Sequence, residues 1–254
     1  MINSSYQSCW FTVIKKDGKA LWLIYSLEPL NAVTIKHSGV PPFIEQIAEQ
    51  FASHMWGGIL NLYVSYDKQL LDECLCDYTT FQSPFGALRL VTLLMGWTNS
   101  VPIFHDDVIY ILQPKIPHIT IPYINNVPCW GHTTCYINSA GMYETHPDNL
   151  GICQFIWEHF EGPNHVVQHM KYCGGTFSGH KVTLCAKEIM VVGHYPTLPH
   201  LQWHLFVSQW SPWSPLYWYG ICFDGVIETR GDYVMHIEYL SLYFHNFLFP
   251  FIYK

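Results

Sequence analysis

Two pairs of side chains in this 254-residue sequence have the types and spacing that could bind a divalent metal ion. Asp106 and Asp107 are adjacent carboxylates, the ligands that Mg²⁺ prefers. They fall inside a predicted helix, so a solvated helix face is the favoured interpretation. His165 and His169 have the i, i+4 spacing of a zinc-binding pair, but no carboxylate or third ligand stands near them. We therefore assign a metal to neither pair.

The nine cysteines give no metal or disulfide framework. Cys74-x-Cys76 and Cys129…Cys135 lack the paired CxxC spacing of structural zinc sites. An odd cysteine count, without an N-terminal signal pattern, favours a reduced intracellular compartment, cytoplasmic or nuclear. No apolar run reaches the roughly 18 residues that span a bilayer, so we expect no membrane association.

A third place is Asn125–Asn126, in the stretch IPYINNVP. Asparagine tolerates positive φ, and the pair suits a type I′ turn between two short strands. Asparagine also has nearly the shape of aspartate, so the same pair could be the remnant of a carboxylate metal site. This stretch alone does not decide between the two interpretations.

The composition indicates a folded chain with little electrostatic attraction for nucleic acid. Half of the residues are hydrophobic and 17% are aromatic, which argues against general disorder. Only 12% are charged and the net charge is −7, whereas strong nucleic-acid binders cluster lysine and arginine. Only two arginines, Arg89 and Arg230, stand beside ten tryptophans and fifteen histidines. Base transitions in arginine codons produce Trp, Cys, His and Gln, so we hypothesise a gene eroded by such transitions, with chance composition as the alternative.

Strands and helices alternate along the chain, which predicts an α+β fold. The predicted strands and hairpins are Lys15–Asn31, Ile59–Asp67, Asp77–Leu94, a strand pair around Asn125–Asn126, and Lys181–His194. The predicted helices are Pro41–Met55, Asn99–Leu112 and Gly151–Gly175, the last broken near Gly162-Pro163. From Tyr195 onward the tryptophan- and proline-rich sequence predicts no regular element.

Five stretches, in order from about Lys15 to His194, resemble one family, the reverse transcriptases of gypsy-type LTR retrotransposons. They are KKDG…LEPLNAVTI, GGILNLYVSYD, LLMGWTNSVPIFH, PYINNV and GGTFSGHKVTLCAKEIMVVGH. The second resembles the first palm motif, the fourth resembles the Tyr-x-Asp-Asp box, and the fifth resembles the late palm with its primer-grip Gly-His. The resemblance implies RNA-directed DNA synthesis on an RNA or DNA template–primer, using dNTPs and Mg²⁺.

In such enzymes three aspartates hold two metal ions for nucleotidyl transfer. The matching positions here are Asn61, Asn125 and Asn126, so all three carboxylates are replaced by neutral amides. Because three formal negative charges are missing from the ligands, we expect no retained Mg²⁺ and no polymerase activity.

The resemblance assigns roles to further residues. Tyr66 stands where the family has the aromatic that screens the sugar of the incoming nucleotide, and Met95 and Gly96 stand where it lines the nucleotide pocket. Lys181, Gly193 and His194 match the late palm and primer grip, although a solvated surface lysine is an equal alternative for Lys181. The sequence departs from the family at Leu94, where proline is usual, and at Trp22 and Glu28, where arginines are usual.

The resemblance also implies a right-hand polymerase organisation, in which the palm is an antiparallel ferredoxin-like sheet with packed helices. Residues 1–56 would be a fingers segment, and residues 57–194 a palm with a fingers insertion at about 70–94. Residues 195–254 would be an unmatched tail, for which an out-of-frame reading is one explanation. Three hypotheses follow: an inactive reverse-transcriptase remnant, a non-catalytic nucleic-acid-binding remnant, and an unrelated α+β structural protein.

Overall fold

The computed structural model describes residues 4, 6–15, 18, 21–39, 41–52, 54–63, 66–186 and 189–191, with the backbone of three short strands between residues 222 and 236. The chain divides into two compact units. The first comprises Met1–Val40 and Val64–Asp106, and the second comprises Pro41–Tyr63 and Asp107–Lys254. Within the described residues, no helix has both the length and the apolar character that a bilayer-spanning segment needs.

The described elements mix helices with antiparallel strands. The helices are α1 (Glu28–Val33), α2 (Ile44–Ala52), α3 (Glu73–Cys76), α4 (Ser100–Leu112) and α5 (Gln154–Tyr172). The strands are β1 (Trp10–Ile14), β2 (Leu21–Tyr25), β3 (Gly57–Asn61), β4 (Phe81–Ser83), β5 (Gly86–Leu88), β6 (Asn126–Trp130), β7 (Thr145–His146), β8 (Asn149–Cys153), β9 (Thr176–Ser178), β10 (Thr183–Ala186), β11 (Cys222–Phe223), β12 (Val226–Glu228) and β13 (Val234–His236).

The first unit contains the two predicted hairpins, and both are confirmed. Strands β1 and β2 pair antiparallel, and the Gly18 N–H donates to the Lys15 carbonyl in the connection between them. Strands β4 and β5 pair around Pro84-Phe85, where Gly86 has a φ of +110° that glycine adopts without strain. Helix α1 lies at the end of the first predicted hairpin and was not predicted.

The second unit is organised by a five-stranded antiparallel sheet of order β11-β12-β10-β3-β6. Helix α2 follows two prolines and places Ile47 and Phe51 on one face, where they form a buried cluster with Trp130, Ala186, Ile189 and Val191. Helix α5 packs against β6, β8 and β10 with Phe155, Ile156 and Phe160 almost fully buried. Two helices therefore pack against the sheet, and both were predicted from the spacing of their apolar residues.

Several predicted boundaries are wrong. The strand predicted over Ile59–Asp67 is β3 and ends at Asn61, and the predicted end of the segment lies in a 3₁₀ turn at Tyr66–Lys68. Helix α5 passes through Pro163 without the predicted break, because the residues on both sides are anchored in the core. The segment predicted as strand from Lys181 to His194 begins as a 3₁₀ turn, and among its described residues (181–186 and 189–191) the strand is β10.

Two further differences concern the ends of predicted segments. The stretch Gly151–Cys153, predicted as the start of a helix, belongs to β8. Strands β11 to β13 lie in the region after Tyr195 where no regular element was predicted, and they pair with β10, with one another and with β9. The pairing of β12 with β10 and of β13 with β9 is long-range and has no local sequence signature.

Candidate functional site

Neighbouring strands position two of the three asparagines opposite each other. Asn61 is the last residue of β3 and Asn126 is the first residue of β6, and the antiparallel register places them as direct partners. On its other edge β3 packs closely against β10, because a Cβ on Gly58 would lie 2.5 Å from the Leu184 carbonyl oxygen. Only glycine at position 58 allows the strands to approach so closely.

A tight turn brings the third asparagine to the same end of the sheet. Tyr123 and Asn126 exchange two backbone hydrogen bonds of 2.8 and 2.9 Å, so Ile124 and Asn125 are the central residues of the turn. The prediction that Asn125–Asn126 forms a type I′ turn is therefore wrong by one residue. Ile124 takes a positive φ of +54°, which is unfavourable for a β-branched side chain. The Leu62 N–H donates to the Asn125 carbonyl at 2.7 Å and ties the turn to the end of β3.

The three side-chain amides form a continuous hydrogen-bonded chain. Asn61 Nδ2 donates to Asn126 Oδ1 at 2.9 Å, and Asn126 Nδ2 donates to Asn125 Oδ1 at 3.3 Å. Asn61 is buried, with 7% of its surface exposed, whereas Asn125 and Asn126 are half-buried. The structure thus unites the three residues that the family resemblance selects, although Asn61 is 64 and 65 positions away from the other two in sequence.

The chemistry of this cluster differs from that of a carboxylate site. Each of the two links pairs an N–H donor with an oxygen acceptor, so the three side chains stay in contact without an ion between them. Three carboxylates at the same positions would present oxygens to oxygens and would require cations or protons between them. The donor set is neutral, and two of its three amide oxygens already accept hydrogen bonds. This set does not fit Mg²⁺, which is held in proteins by carboxylates.

The residues predicted to line a nucleotide pocket lie in the first unit. The Tyr66 ring packs on Phe104 with centroids 5.1 Å apart, and burial raises the pKa of its phenol. Met95 is 54% exposed, and Gly96 has a φ of +98°. The Gly96 carbonyl accepts a hydrogen bond from Asn31 Nδ2 at 3.0 Å. Their predicted contact with a nucleotide stays a prediction.

The late-palm residues are only partly within the described chain. Lys181 is exposed and ends the 3₁₀ turn Gly179–Lys181 that precedes β10. Its side chain therefore lies at the surface, which does not distinguish the late-palm role from the alternative of a solvated surface lysine. Gly193 and His194 lie outside the described residues.

The two other pairs of potential metal ligands, Asp106–Asp107 and His165–His169, do not form a metal site among the described residues. Asp106 and Asp107 are both exposed on α4, and Asp106 Oδ2 lies 3.6 Å from His37 Nε2. His169 Nδ1 lies 2.9 Å from the His165 carbonyl oxygen, one helical turn earlier. Among the residues that the structure describes, no three His, Cys, Asp or Glu side chains are grouped so that they could hold a metal ion.

One polar cluster of the second unit was missed by sequence reasoning. The Tyr136 O–H donates to Glu158 Oε2 at 2.9 Å, and His132 Nε2 lies 3.2 Å from the Tyr136 hydroxyl and 3.7 Å from the same carboxylate. The hydrogen bond to Glu158 raises the pKa of Tyr136. The cluster fastens the loop after β6 to α5, and its members carry no common sequence motif.

The sequence matches no protein-family model and no curated protein. The fold is similar to solved structures of foamy viral protease–reverse transcriptase. One complex with double-stranded DNA gives a TM-score of 0.61 at 17% identity, covering 77% of this chain and 36% of that chain. A second double-stranded DNA complex gives 0.60 at 16% identity, covering 77% and 30%. A complex with an RNA/DNA hybrid gives 0.57 at 15% identity, covering 78% and 23%.

These similarities carry a conclusion about architecture. The chain spans 23 to 36% of the length of these three structures. At 15 to 17% identity the likeness concerns the fold rather than the activity. The mixture of helices and antiparallel sheet described above is therefore a reverse-transcriptase-like fold.

Proposed function

We propose that this chain is a catalytically inactive reverse-transcriptase domain, derived from the polyprotein of a gypsy-type LTR retrotransposon. The amide chain Asn61–Asn126–Asn125 is the observation that carries the proposal. It occupies the place where the family motifs put three aspartates, and it lacks their negative charge. Removing a metal's outer-shell partners alone typically costs 10–100-fold in affinity or activity. Replacing every anionic ligand has a larger effect, so no Mg²⁺ is retained.

The proposed organisation follows the family order. Residues 1–56 form the fingers segment, residues 57–194 form the palm with an insertion at about 70–94, and residues 195–254 are an unmatched tail. The palm is then the ferredoxin-like part, built on β3, β6 and α5.

Template–primer and dNTP binding are weak or absent in this proposal. Residues 15–194 contain ten lysines and arginines against fifteen aspartates and glutamates, so the net charge repels phosphate. Trp22 and Glu28 stand where the family has arginines, which removes the cations expected to contact a triphosphate. The protein is intracellular and does not associate with a membrane.

Primer extension tests the loss of chemistry. Purified chain is incubated with a primed RNA or DNA template, dNTPs and either Mg²⁺ or Mn²⁺, and a no-enzyme reaction sets the background. We expect no templated extension, and extension above the background overturns the proposal. The triple variant N61D/N125D/N126D gives little recovery, because Leu94, Trp22 and Glu28 also depart from the family.

A non-catalytic nucleic-acid-binding remnant is the second candidate. It is favoured by the fold neighbours, whose structures contain double-stranded DNA or an RNA/DNA hybrid. Fluorescence anisotropy with a labelled template–primer at increasing salt tests it. Binding that weakens linearly in log salt supports this candidate, whereas no binding at low salt removes it.

A further inference from the structure

A cavity of about 490 Å³ lies within the first unit and is unrelated to the amide chain. Three segments of the unit form its walls, namely the end of α1, the region from Leu71 to Thr79, and Leu94 to Asn99. Tyr6 adds a further wall beside Tyr78, with the two rings in an edge contact at a centroid distance of 4.8 Å. This volume falls in the range of ligand pockets, about 300–1,000 Å³.

Side-chain hydrogen bonds fix two walls of the cavity relative to each other. Asn31 accepts from the Thr98 N–H at 2.9 Å and donates to the Gly96 carbonyl at 3.0 Å. Asn99 accepts from the His37 N–H at 2.9 Å and donates to the Ile35 carbonyl at 2.8 Å. Two asparagines thus clamp α1 and the residues after it to the segment 96–99. Hydrogen bonds within the protein therefore fix these walls, which lowers the ordering cost of binding.

The lining itself is neutral and mostly apolar. Trp97 Nε1 donates to Thr34 Oγ1 at 3.0 Å, and the Thr34 hydroxyl donates to the Leu30 carbonyl at 2.7 Å. Thr79 Oγ1 donates to the Cys76 carbonyl at 2.7 Å and accepts from the Leu90 N–H at 2.8 Å. These polar groups form hydrogen bonds within the protein and are not assigned a contact with a ligand. The phenol hydroxyls of Tyr6 and Tyr78 take no part in these hydrogen bonds.

We propose that this cavity binds an uncharged, ring-containing small molecule, with a phenol hydroxyl of Tyr6 or Tyr78 as its polar contact. None of the described residues that line the cavity is charged, so a triphosphate would enter without a partner for its negative charge. A neutral aromatic molecule buries apolar surface against Leu71, Leu75 and Leu94 at no such cost. This proposal does not depend on the polymerase ancestry.

The neutral dye N-phenyl-1-naphthylamine tests the proposal, because its fluorescence rises in an apolar site. Titration of the full chain is expected to show saturable binding with one site per chain and micromolar affinity. Val33→Trp and Leu75→Trp place an indole in the cavity from residues that are 63% and 40% exposed, so the core is not disturbed. Each weakens dye binding by about tenfold or more, and unchanged affinity in both overturns the proposal.

Matched controls separate the cavity from other apolar surface. Val101→Trp on α4 adds the same indole at a residue 37% exposed outside the lining, and it leaves the affinity unchanged. Trp22→Ser removes exposed apolar surface from the β1–β2 hairpin, and loss of dye binding in this variant overturns the assignment. Displacement of the dye by dATP overturns the neutral ligand class.

Hydrogen exchange gives a readout that needs no substitution. Saturating dye is expected to slow exchange of backbone amides in α1 and in residues 94–99. Protection confined to other segments overturns the proposal, as does the absence of saturable binding to the unmodified chain.

Discussion

Restoring aspartate at all three positions of the amide chain is predicted to make the fold depend on divalent cations. In N61D/N125D/N126D, carboxylate oxygens replace the groups now 2.9 and 3.3 Å apart, and no proton remains between them. Two charges about 4 Å apart repel by about 4 kcal/mol at an effective dielectric constant near 20. Water around the half-buried residues 125 and 126 reduces this repulsion, and the two lost hydrogen bonds add about 1 kcal/mol each.

We therefore expect the triple variant to lose about 3–5 kcal/mol of unfolding free energy at pH 8 in EDTA, a large part of the stability of a typical domain. Repulsion raises the pKa of the carboxyls in the folded state, so that state binds more protons than the unfolded state between their two pKa values. Stability of the variant thus falls as pH rises through that window, and much of it returns at pH 5. Millimolar Mg²⁺ or Mn²⁺ also restores it, by about 2–3 kcal/mol at a hundredfold excess over Kd.

Urea denaturation followed by circular dichroism measures these differences. The matched control is N138D/N149D/N164D, which adds the same three charges at asparagines whose side-chain oxygens already accept hydrogen bonds. The control and the unmodified chain are expected to show no response to Mg²⁺. Equal stability of the two triple variants in EDTA at pH 8 would refute the reasoning, because the three side chains could not then be in contact.

Three further predictions concern the sheet and its turn. Burial lowers the pKa of His159 to about 4, and its Nε2 lies 2.7 Å from the Leu184 carbonyl oxygen. The unfolded chain therefore binds more protons below pH 6.5, so the unfolding free energy falls by about 3 kcal/mol toward pH 4. In His159→Gln, urea denaturation at a series of pH values should show a smaller change of the unfolding free energy with pH. Gly58→Ala should lower the unfolding free energy by about 3 kcal/mol or more, because the added Cβ clashes with β10. Gly141 has open space around it and a φ of +78°, so Gly141→Ala should lower the unfolding free energy by only about 1–2 kcal/mol. Ile124→Gly should raise the melting temperature by relieving a positive φ worth about 1 kcal/mol, whereas Ile137→Gly should lower it.

Sequence reasoning was most successful where local pattern and tertiary structure agree. The prolines before α2 and its apolar spacing predict a helix, and the hairpins at Gly18 and Gly86 have turn residues that suit their backbone. It was least successful where distant partners decide. Pro163 predicts a helix break, yet α5 continues because Phe160, Val166 and Val167 are anchored in the core. Local preference therefore yields to packing at this position.

The candidate site shows the same division. The identity of Asn61, Asn125 and Asn126 as a group came from motif resemblance, and the structure brings them into contact. The turn register did not follow from local preference, because the pairing of Asn126 with Asn61 on a distant strand shifts the turn to Ile124–Asn125. The cavity of the first unit left no sequence signal, since Asn31 and Asn99 act as clamps only after the chain has folded.

The amide chain also predicts that aspartates combine non-additively. A side-chain amide has a donor side and an acceptor side, and a half-turn exchanges them. A single aspartate at any of the three positions can therefore be accommodated, because the neighbouring amides rotate to donate toward it. Aspartates at two positions that are directly hydrogen-bonded cannot be accommodated. In N61D/N126D, two carboxylates face each other where the amides now form a 2.9 Å hydrogen bond.

A double-mutant cycle in EDTA at pH 8 is expected to give N61D/N126D a coupling energy of about 2–3 kcal/mol beyond the sum of its singles. In N61D/N125D the amide of Asn126 can donate toward only one of the two carboxylates, but it keeps the two charges out of contact, so the coupling should be smaller than in N61D/N126D. Equal coupling in both doubles would mean that general charge, rather than the order of the hydrogen-bonded chain, controls the site. The order matters because each amide can donate toward a carboxylate, whereas a carboxylate can only accept.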